Sequence, residues 1–375
     1  MNDGVAAPRQ RRVVRQAGLF GAAVGVAAAG VAVGVAAERL LLRRRSVAPP
    51  ADPLATESFG ALPYDETLAV TTADGLDLHV EIVEPNDGID LDFGMPGPAE
   101  PTLIFIHGFC LDMGTFHFQR TALTRRGDYR MVFYDQPGHG RSDKLRQGEY
   151  TLDALGEALK LVIQATVPAD GPIVLIGHSM GGMTIMALAE LYPELFQERV
   201  RGVVFISTSA GKLDEVTFGM PDFLARFSRP LVPVITGAGR LTGGVIDSVR
   251  RSGAVEDLAL ALTRRYGFGT AAPSPALVNY VEQMNARTGT EVVARYLRAV
   301  YTHARYPALE ALKQTKTLVI CGEKDKLTPP DHSAEICRIL PDARFVPVPD
   351  AGHVALLERP DIVNAALVSF LEQID

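Results

Sequence analysis

Residues 173–182 read Ile-Val-Leu-Ile-Gly-His-Ser-Met-Gly-Gly and run directly into an Ala/Leu/Met-rich stretch. No other passage constrains the fold as strongly. Four consecutive apolar, mostly β-branched residues form a strand buried on both faces, as in a parallel sheet covered by helices. The Gly-x-Ser-x-Gly that follows requires a sharp turn from strand to helix, in a backbone geometry that excludes larger side chains at the glycines. Such a turn raises the Ser179 hydroxyl at the end of the sheet, above the positive end of the next helix. A chain built around this unit is α/β.

The rest of the body keeps the same rhythm. Residues 66–72 and 76–83 flank the turn pair Asp74-Gly75 and read as a hairpin. Short apolar runs bounded by Gly, Pro and Asp recur at 103–106, 131–134, 203–206, 317–320 and 345–348. Between them lie stretches of helical period: 152–165, with Leu155, Leu159, Val162 and Ile163 on one face, then 183–191 and 362–371. The expected fold is a mostly parallel sheet with helices on both faces. The interval 210–314 has no convincing strand run and reads as an inserted helical cap. Residues 46–63, with Pro49, Pro50, Pro53 and Pro63, read as an extended linker into a domain spanning 64–375.

A serine hydroxyl is a weak nucleophile at neutral pH and needs a base, which itself needs orienting. After such an elbow the expected chain order is Ser, then Asp or Glu, then His. Run 317–320 leads into Gly-Glu-Lys-Asp-Lys-Leu-Thr-Pro, placing Asp325 just beyond a strand end, with Glu323 and Asp331 as competitors. Run 345–348 leads into Pro-Asp-Ala-Gly-His, placing His353 likewise. In a parallel sheet those carboxyl ends share one edge, so both side chains can converge on Ser179. Of the other histidines, His178 sits beside the nucleophile but should point elsewhere on the tight turn, and His107 and His139 read as hydrogen-bonded loop supports. Acyl transfer also needs rigid N–H donors for the developing oxyanion. Met180, directly after the serine, supplies one. The second is expected from Phe109, in the His107-Gly108-Phe109-Cys110 loop after run 103–106. Cys110 reads as a small apolar residue. Cys110, Cys321 and Cys337 are too few and too scattered for a disulfide framework or a zinc site.

From about residue 66 to the end, the chain resembles the α/β-hydrolase family. The resemblance rests on His107-Gly108-Phe109, the run Asp135-Gln136-Pro137-Gly138-His139-Gly140-Arg141-Ser142, the elbow at Ser179, Gly322 with Asp325 and Pro329, and Gly352-His353. It implies that the 135–142 turn braces the site and that a cap is inserted between the sixth and seventh family strands. Phe116 stands where many members carry tryptophan, which touches pocket shape and not mechanism. The implied activity is that of a serine hydrolase of carboxylic esters, esterase- or lipase-like, working through an acyl-enzyme with no cofactor and no metal. Haloperoxidase-like perhydrolases and carbon–carbon bond hydrolases share this triad and are the alternatives. Epoxide hydrolases and haloalkane dehalogenases carry aspartate in place of the serine. A non-catalytic binding protein would have lost a triad member, and none is lost here.

Residues 1–45 differ from the body. Eight arginines against Asp3 and Glu38 make this segment +6, leaving −13 on the remainder of a chain whose net charge is −7. An acidic body lacks the basic face a general nucleic-acid binder needs. Residues 17–37 contain no charged or hydrogen-bonding side chain; as a helix they would span about 31 Å, close to a bilayer's hydrocarbon core. They read as a single-pass membrane anchor, with a cleaved export signal as the alternative. Four arginines flank each end, so the positive-inside rule gives no orientation. The expected substrate is a small, apolar ester, consistent with this leader and with the apolar residues Phe218, Met220, Phe223, Leu224 and Phe227 in the cap.

Overall fold

The computed structural model describes residues 52–86, 100–145, 150–216 and 253–374. Among these residues eight strands form one sheet: β1 (Glu66–Thr71), β2 (Asp77–Val83), β3 (Thr102–Ile106), β4 (Met131–Tyr134), β5 (Ile173–His178), β6 (Val200–Ile206), β7 (Lys316–Gly322) and β8 (Arg344–Val348). Their spatial order is β1-β2-β4-β3-β5-β6-β7-β8. The β1–β2 and β2–β4 pairs are antiparallel; all the others are parallel. The order reverses around β3, which lies between β4 and β5. A crevice for ligands forms outside the carboxyl ends of strands at such a reversal.

Unbroken apolar runs arise because successive side chains feed opposite cores. Leu103, Phe105, Val174 and Ile176 point to one face, against α1 (His117–Arg126), α9 (Ala355–Glu358) and α10 (Pro360–Leu371). Ile104, Ile106, Ile173 and Leu175 point to the other, against α2 (Leu152–Thr166), α3 (Met180–Leu191) and α8 (Pro330–Ile339). Each fully buried large apolar side chain contributes about 1.5–3 kcal/mol. The edge strand β8 is buried on neither face at its start, where Arg344 and Phe345 are exposed. Helix α2 begins where the Thr151 side chain accepts from the Ala154 amide, and it turns Leu152, Leu155, Leu159 and Val162 inward. An ion cluster bridges sheet and helix: buried Glu81 of β2 meets buried Arg120 of α1 at 2.6 Å and also pairs with the exposed Arg141.

Helix α4 (Pro193–Glu198) precedes β6. Between β6 and β7 the described residues carry α5 (Gly253–Gly267), α6 (Pro275–Arg287) and α7 (Thr290–Tyr301), with no strand among them. The two ends of this insertion are stitched together. Gly211 bridges Ala304, Arg305 N–H donates to Ala210 O at 2.7 Å, and His303 Nε2 meets Ser209 O at 3.0 Å. The apolar residues at 218–227 lie outside the described residues. Residues 52–63 pack on the body: Phe59 stacks on Tyr280 of α6 with centroids 4.6 Å apart, and Glu57 meets His117 Nε2 at 2.8 Å.

The expectation of a membrane-spanning helix is corrected. Among the described residues no helix is long and apolar enough to cross a membrane. The longest, α2 and α5, have 15 residues each, whereas a span takes about 20 predominantly apolar ones. The expectations of a single-pass, membrane-anchored location and of a membrane partner fall with it. Residues 1–45, on which they rested, lie outside the described residues.

Candidate active site

Strand β5 ends at His178, and Ser179 follows with φ 52 and ψ −117, a region that non-glycine residues rarely occupy. Holding a residue there costs about 1–3 kcal/mol, so neighbours must pin it. Ser179 N–H donates to Ile206 O at 2.9 Å, and its carbonyl accepts from Gly182 N–H at 2.9 Å and from the Thr208 hydroxyl at 2.7 Å. Two glycines make the elbow possible. A Cβ on Gly177 would lie 2.6 Å from Gly182 N, and one on Gly181 would lie 2.0 Å from Ile106 O. The second contact is with the end of β3, so only glycine lets α3 start this close to the sheet.

The structure brings Asp325 and His353 together with Ser179. Ser179 Oγ lies 2.8 Å from His353 Nε2, and His353 Nδ1 lies 2.9 Å from Asp325 Oδ2. Asp325 has no exposed side-chain surface. Its Oδ1 accepts from the Leu327 and Thr328 amides at 2.8 and 3.0 Å, and its Oδ2 accepts the Thr328 hydroxyl at 2.9 Å. Burial pushes this carboxyl up, but His353 and the two amides outweigh it and leave its pKa below the ordinary carboxylate value. An ionised Asp325 holds the His353 proton on Nδ1, leaving Nε2 to accept from the serine. The competing carboxylates Glu323 and Asp331 are exposed.

Met180 is the first residue of α3, where N–H groups have no intrahelical acceptor. Among the described residues, neither the Met180 nor the Phe109 amide has a protein acceptor. The Phe109 amide is oriented from behind. His107 Nδ1–H donates to Gly108 O at 2.8 Å, and Gln136 N–H donates to His107 Nε2 at 2.8 Å. A trans peptide points its C=O and N–H in opposite directions, so the Gly108–Phe109 N–H faces away from His107. Burial holds the His107 imidazole down to about 4, keeping it neutral as this pattern requires. Gln136 closes the brace, donating to His107 O at 2.6 Å while its Oε1 accepts the Thr184 hydroxyl at 2.8 Å. Cys110 makes the loop's turn at φ 59.

The 135–142 turn is a second brace. Asp135 accepts from the Met113 amide at 2.9 Å and the Arg141 amide at 2.8 Å; burial, with Asp112 nearby, pushes its carboxyl up to about 6. His139 Nδ1 meets Pro137 O at 3.1 Å, and its ring sits 6.2 Å from that of Phe109. Phe109 is half-buried and packs on an apolar cluster with Met180, Met183, Leu213, Val216 and Tyr296.

His178 and Glu358 also approach the site, and sequence pattern does not announce either contact. His178 Nε2–H donates to the His353 carbonyl at 2.9 Å. Glu358 accepts from the Gly352 amide at 2.6 Å. Among the described residues no group of three His, Cys, Asp or Glu side chains is arranged to hold a metal ion.

A family model described as alpha/beta hydrolase fold matches residues 101–360. The sn-1-specific diacylglycerol lipase of Mus musculus is 27% identical over 276 residues, covering 72% of this chain and 81% of that protein. A thermophilic esterase from Thermogutta terrifontis superposes with a TM-score of 0.57 at 22% identity, over 83% of this chain and 99% of that one. A bromoperoxidase from Bacillus anthracis does so with a TM-score of 0.60 at 18% identity, over 82% and 99%. At these identities the two structures speak to the fold alone.

Proposed function

Because the chain belongs to the α/β-hydrolase family, we propose that it is a serine hydrolase of carboxylic esters, with Ser179, His353 and Asp325 as its triad. The observation that carries this is the unbroken line from Ser179 Oγ to His353 Nε2 to Asp325, at 2.8 and 2.9 Å. Ser179 Oγ attacks the ester carbonyl as its proton passes to His353 Nε2, and Asp325 stabilises the imidazolium at Nδ1. The carbonyl oxygen becomes an oxyanion facing the Met180 and Phe109 amides. His353 Nε2–H then protonates the departing alkoxide, leaving an acyl-enzyme on Ser179. Water attacks that acyl group, giving its proton to His353. Collapse returns the proton to Ser179 and releases the carboxylic acid.

Half-buried Phe109, in the loop beside Ser179, packs on an apolar cluster that includes Met183, Leu213 and Val216, and an apolar acyl or alcohol group suits such surroundings. The lipase relative, named for diacylglycerol, agrees with that preference. A panel of p-nitrophenyl esters from acetate to dodecanoate, run on wild type and Ser179→Ala, tests the proposal. Wild type should turn over several esters and Ser179→Ala none above the buffer rate. Equal rates for the two proteins, or turnover only of a halide with hydrogen peroxide in a parallel assay, would contradict it.

A further inference from the structure

The base in this site is held by its backbone as well as by Asp325. The His353 carbonyl accepts His178 Nε2–H at 2.9 Å. On the other side, the Gly352 amide donates to the Glu358 carboxylate at 2.6 Å, and the Val354 amide donates to Gly267 O at 3.0 Å. Three consecutive residues are therefore anchored, with the imidazole on the middle one.

Neither side chain has a competing task in the mechanism. His178 is fully buried, and burial holds its imidazole down to about 3, so it stays neutral. Its Nδ1 has no hydrogen-bond partner among the described residues, which leaves the His353 carbonyl as the ring's acceptor. It also directly precedes Ser179, so a single peptide link separates the nucleophile from the residue that fixes the base. Glu358 belongs to α9, yet its carboxylate turns back to the insertion as well: it accepts from Gly269 N–H at 3.0 Å and Thr270 N–H at 3.0 Å. The backbones meet closely there, since a Cβ on Gly269 would lie 2.3 Å from Ala351 C. Through Gly267 O and Glu358, the end of α5 and the loop that follows it are tied to the residues on both sides of His353.

We infer that His178 and Glu358 are positioning residues that clamp the His353 backbone from its two sides, and that Glu358 couples this clamp to the helical insertion. The inference rests on the reading of His353 as the general base. A base displaced by about 1 Å loses on the order of a hundredfold in rate. The clamp acts on the chemical step and leaves ester binding to other residues.

The test measures kcat and KM for p-nitrophenyl butyrate on the full chain, each rate normalised to folded protein by circular dichroism and thermal melting. His178→Phe removes the donor and keeps ring volume, His178→Gln restores an N–H donor, and Glu358→Gln removes one acceptor oxygen without changing size. His178→Phe and Glu358→Gln should each lower kcat about tenfold to a hundredfold with KM held within about threefold. His178→Gln should recover most of the loss. Retention of kcat within about twofold in both His178→Phe and Glu358→Gln, a loss confined to KM, or no recovery in His178→Gln would overturn the clamp. Should His178→Phe not fold, Glu358→Gln decides by the same criteria. Wild type with no Ser179-dependent turnover would instead defeat the ester-hydrolase reading, so the two failures are distinguishable.

Discussion

Replacing Asp325 by asparagine should remove catalysis while leaving the fold almost untouched, and the hydrogen bonds around it say why. Oδ1 accepts two backbone amides, at 2.8 and 3.0 Å, whereas Oδ2 faces the Thr328 hydroxyl and His353 Nδ1. An asparagine has one acceptor oxygen and one NH2 group to distribute between these sites. Pointing the NH2 at two amide donors would leave buried N–H groups unpaired, at about 1–3 kcal/mol each. The amide therefore keeps its oxygen in the Oδ1 position and turns NH2 toward His353. That group cannot accept from Nδ1–H, so the imidazole proton moves to Nε2, opposite Ser179 Oγ. The serine then faces a donor where it needs an acceptor. The expected fall in kcat is about 10⁴-fold, roughly 5 kcal/mol of transition-state stabilisation. Folding stability should change by only about 1 kcal/mol, because the two amide contacts survive. Steady-state turnover of p-nitrophenyl butyrate, paired with a thermal melt, reads both quantities. An Asn variant that melts like wild type and keeps more than about a hundredth of its kcat would refute the assigned tautomer and with it the role of Asp325.

Two further outcomes follow from contacts elsewhere in the fold. Gly181→Ala should cost about 1–3 kcal/mol by overpacking, because its Cβ would sit 2.0 Å from Ile106 O and force the start of α3 away from β3; chemical denaturation checks this, and a midpoint equal to wild type would contradict it. Burial raises the Glu81 carboxyl, but His79, Arg120 and Arg141 outweigh it and set it at about 2. A depressed carboxylate contributes stability that is present above the ordinary glutamate pKa and lost as pH falls through the folded value. Wild type should therefore lose about 3 kcal/mol more than Glu81→Gln between roughly pH 5 and pH 2; parallel stability curves for the two would contradict it.

The parts of the site carried by short stretches of chain were legible in the sequence. Ser179 stands out because a strand run, two close-packed glycines and a helix follow one another within a few residues. Asp325 and His353 each trail a strand run, and parallel order alone brings them to one edge. The strand ends were less visible: β5 continues through Gly177 and His178, which carry no hydrophobic signal. Helix α1 buries His117, Gln119 and Arg120 with Leu123, so it has no apolar stripe to detect. The contacts of His178 with residue 353 and of Glu358 with residue 269 join positions that only the folded sheet and insertion bring together. Hydrophobicity over residues 17–37 reads as a bilayer span, and no described helix has that character. A run of apolar residues reports low polarity and does not by itself report location.

The central claim is that Ser179 is the nucleophile, and covalent labelling tests it most directly. A fluorophosphonate phosphonylates an activated serine, displacing fluoride, and stops at a stable adduct. Intact-protein mass spectrometry followed by peptide mapping should find one adduct on wild type, on the peptide that contains Ser179, and none on Ser179→Ala. An adduct on another residue, or equal labelling of the two proteins, would contradict the account.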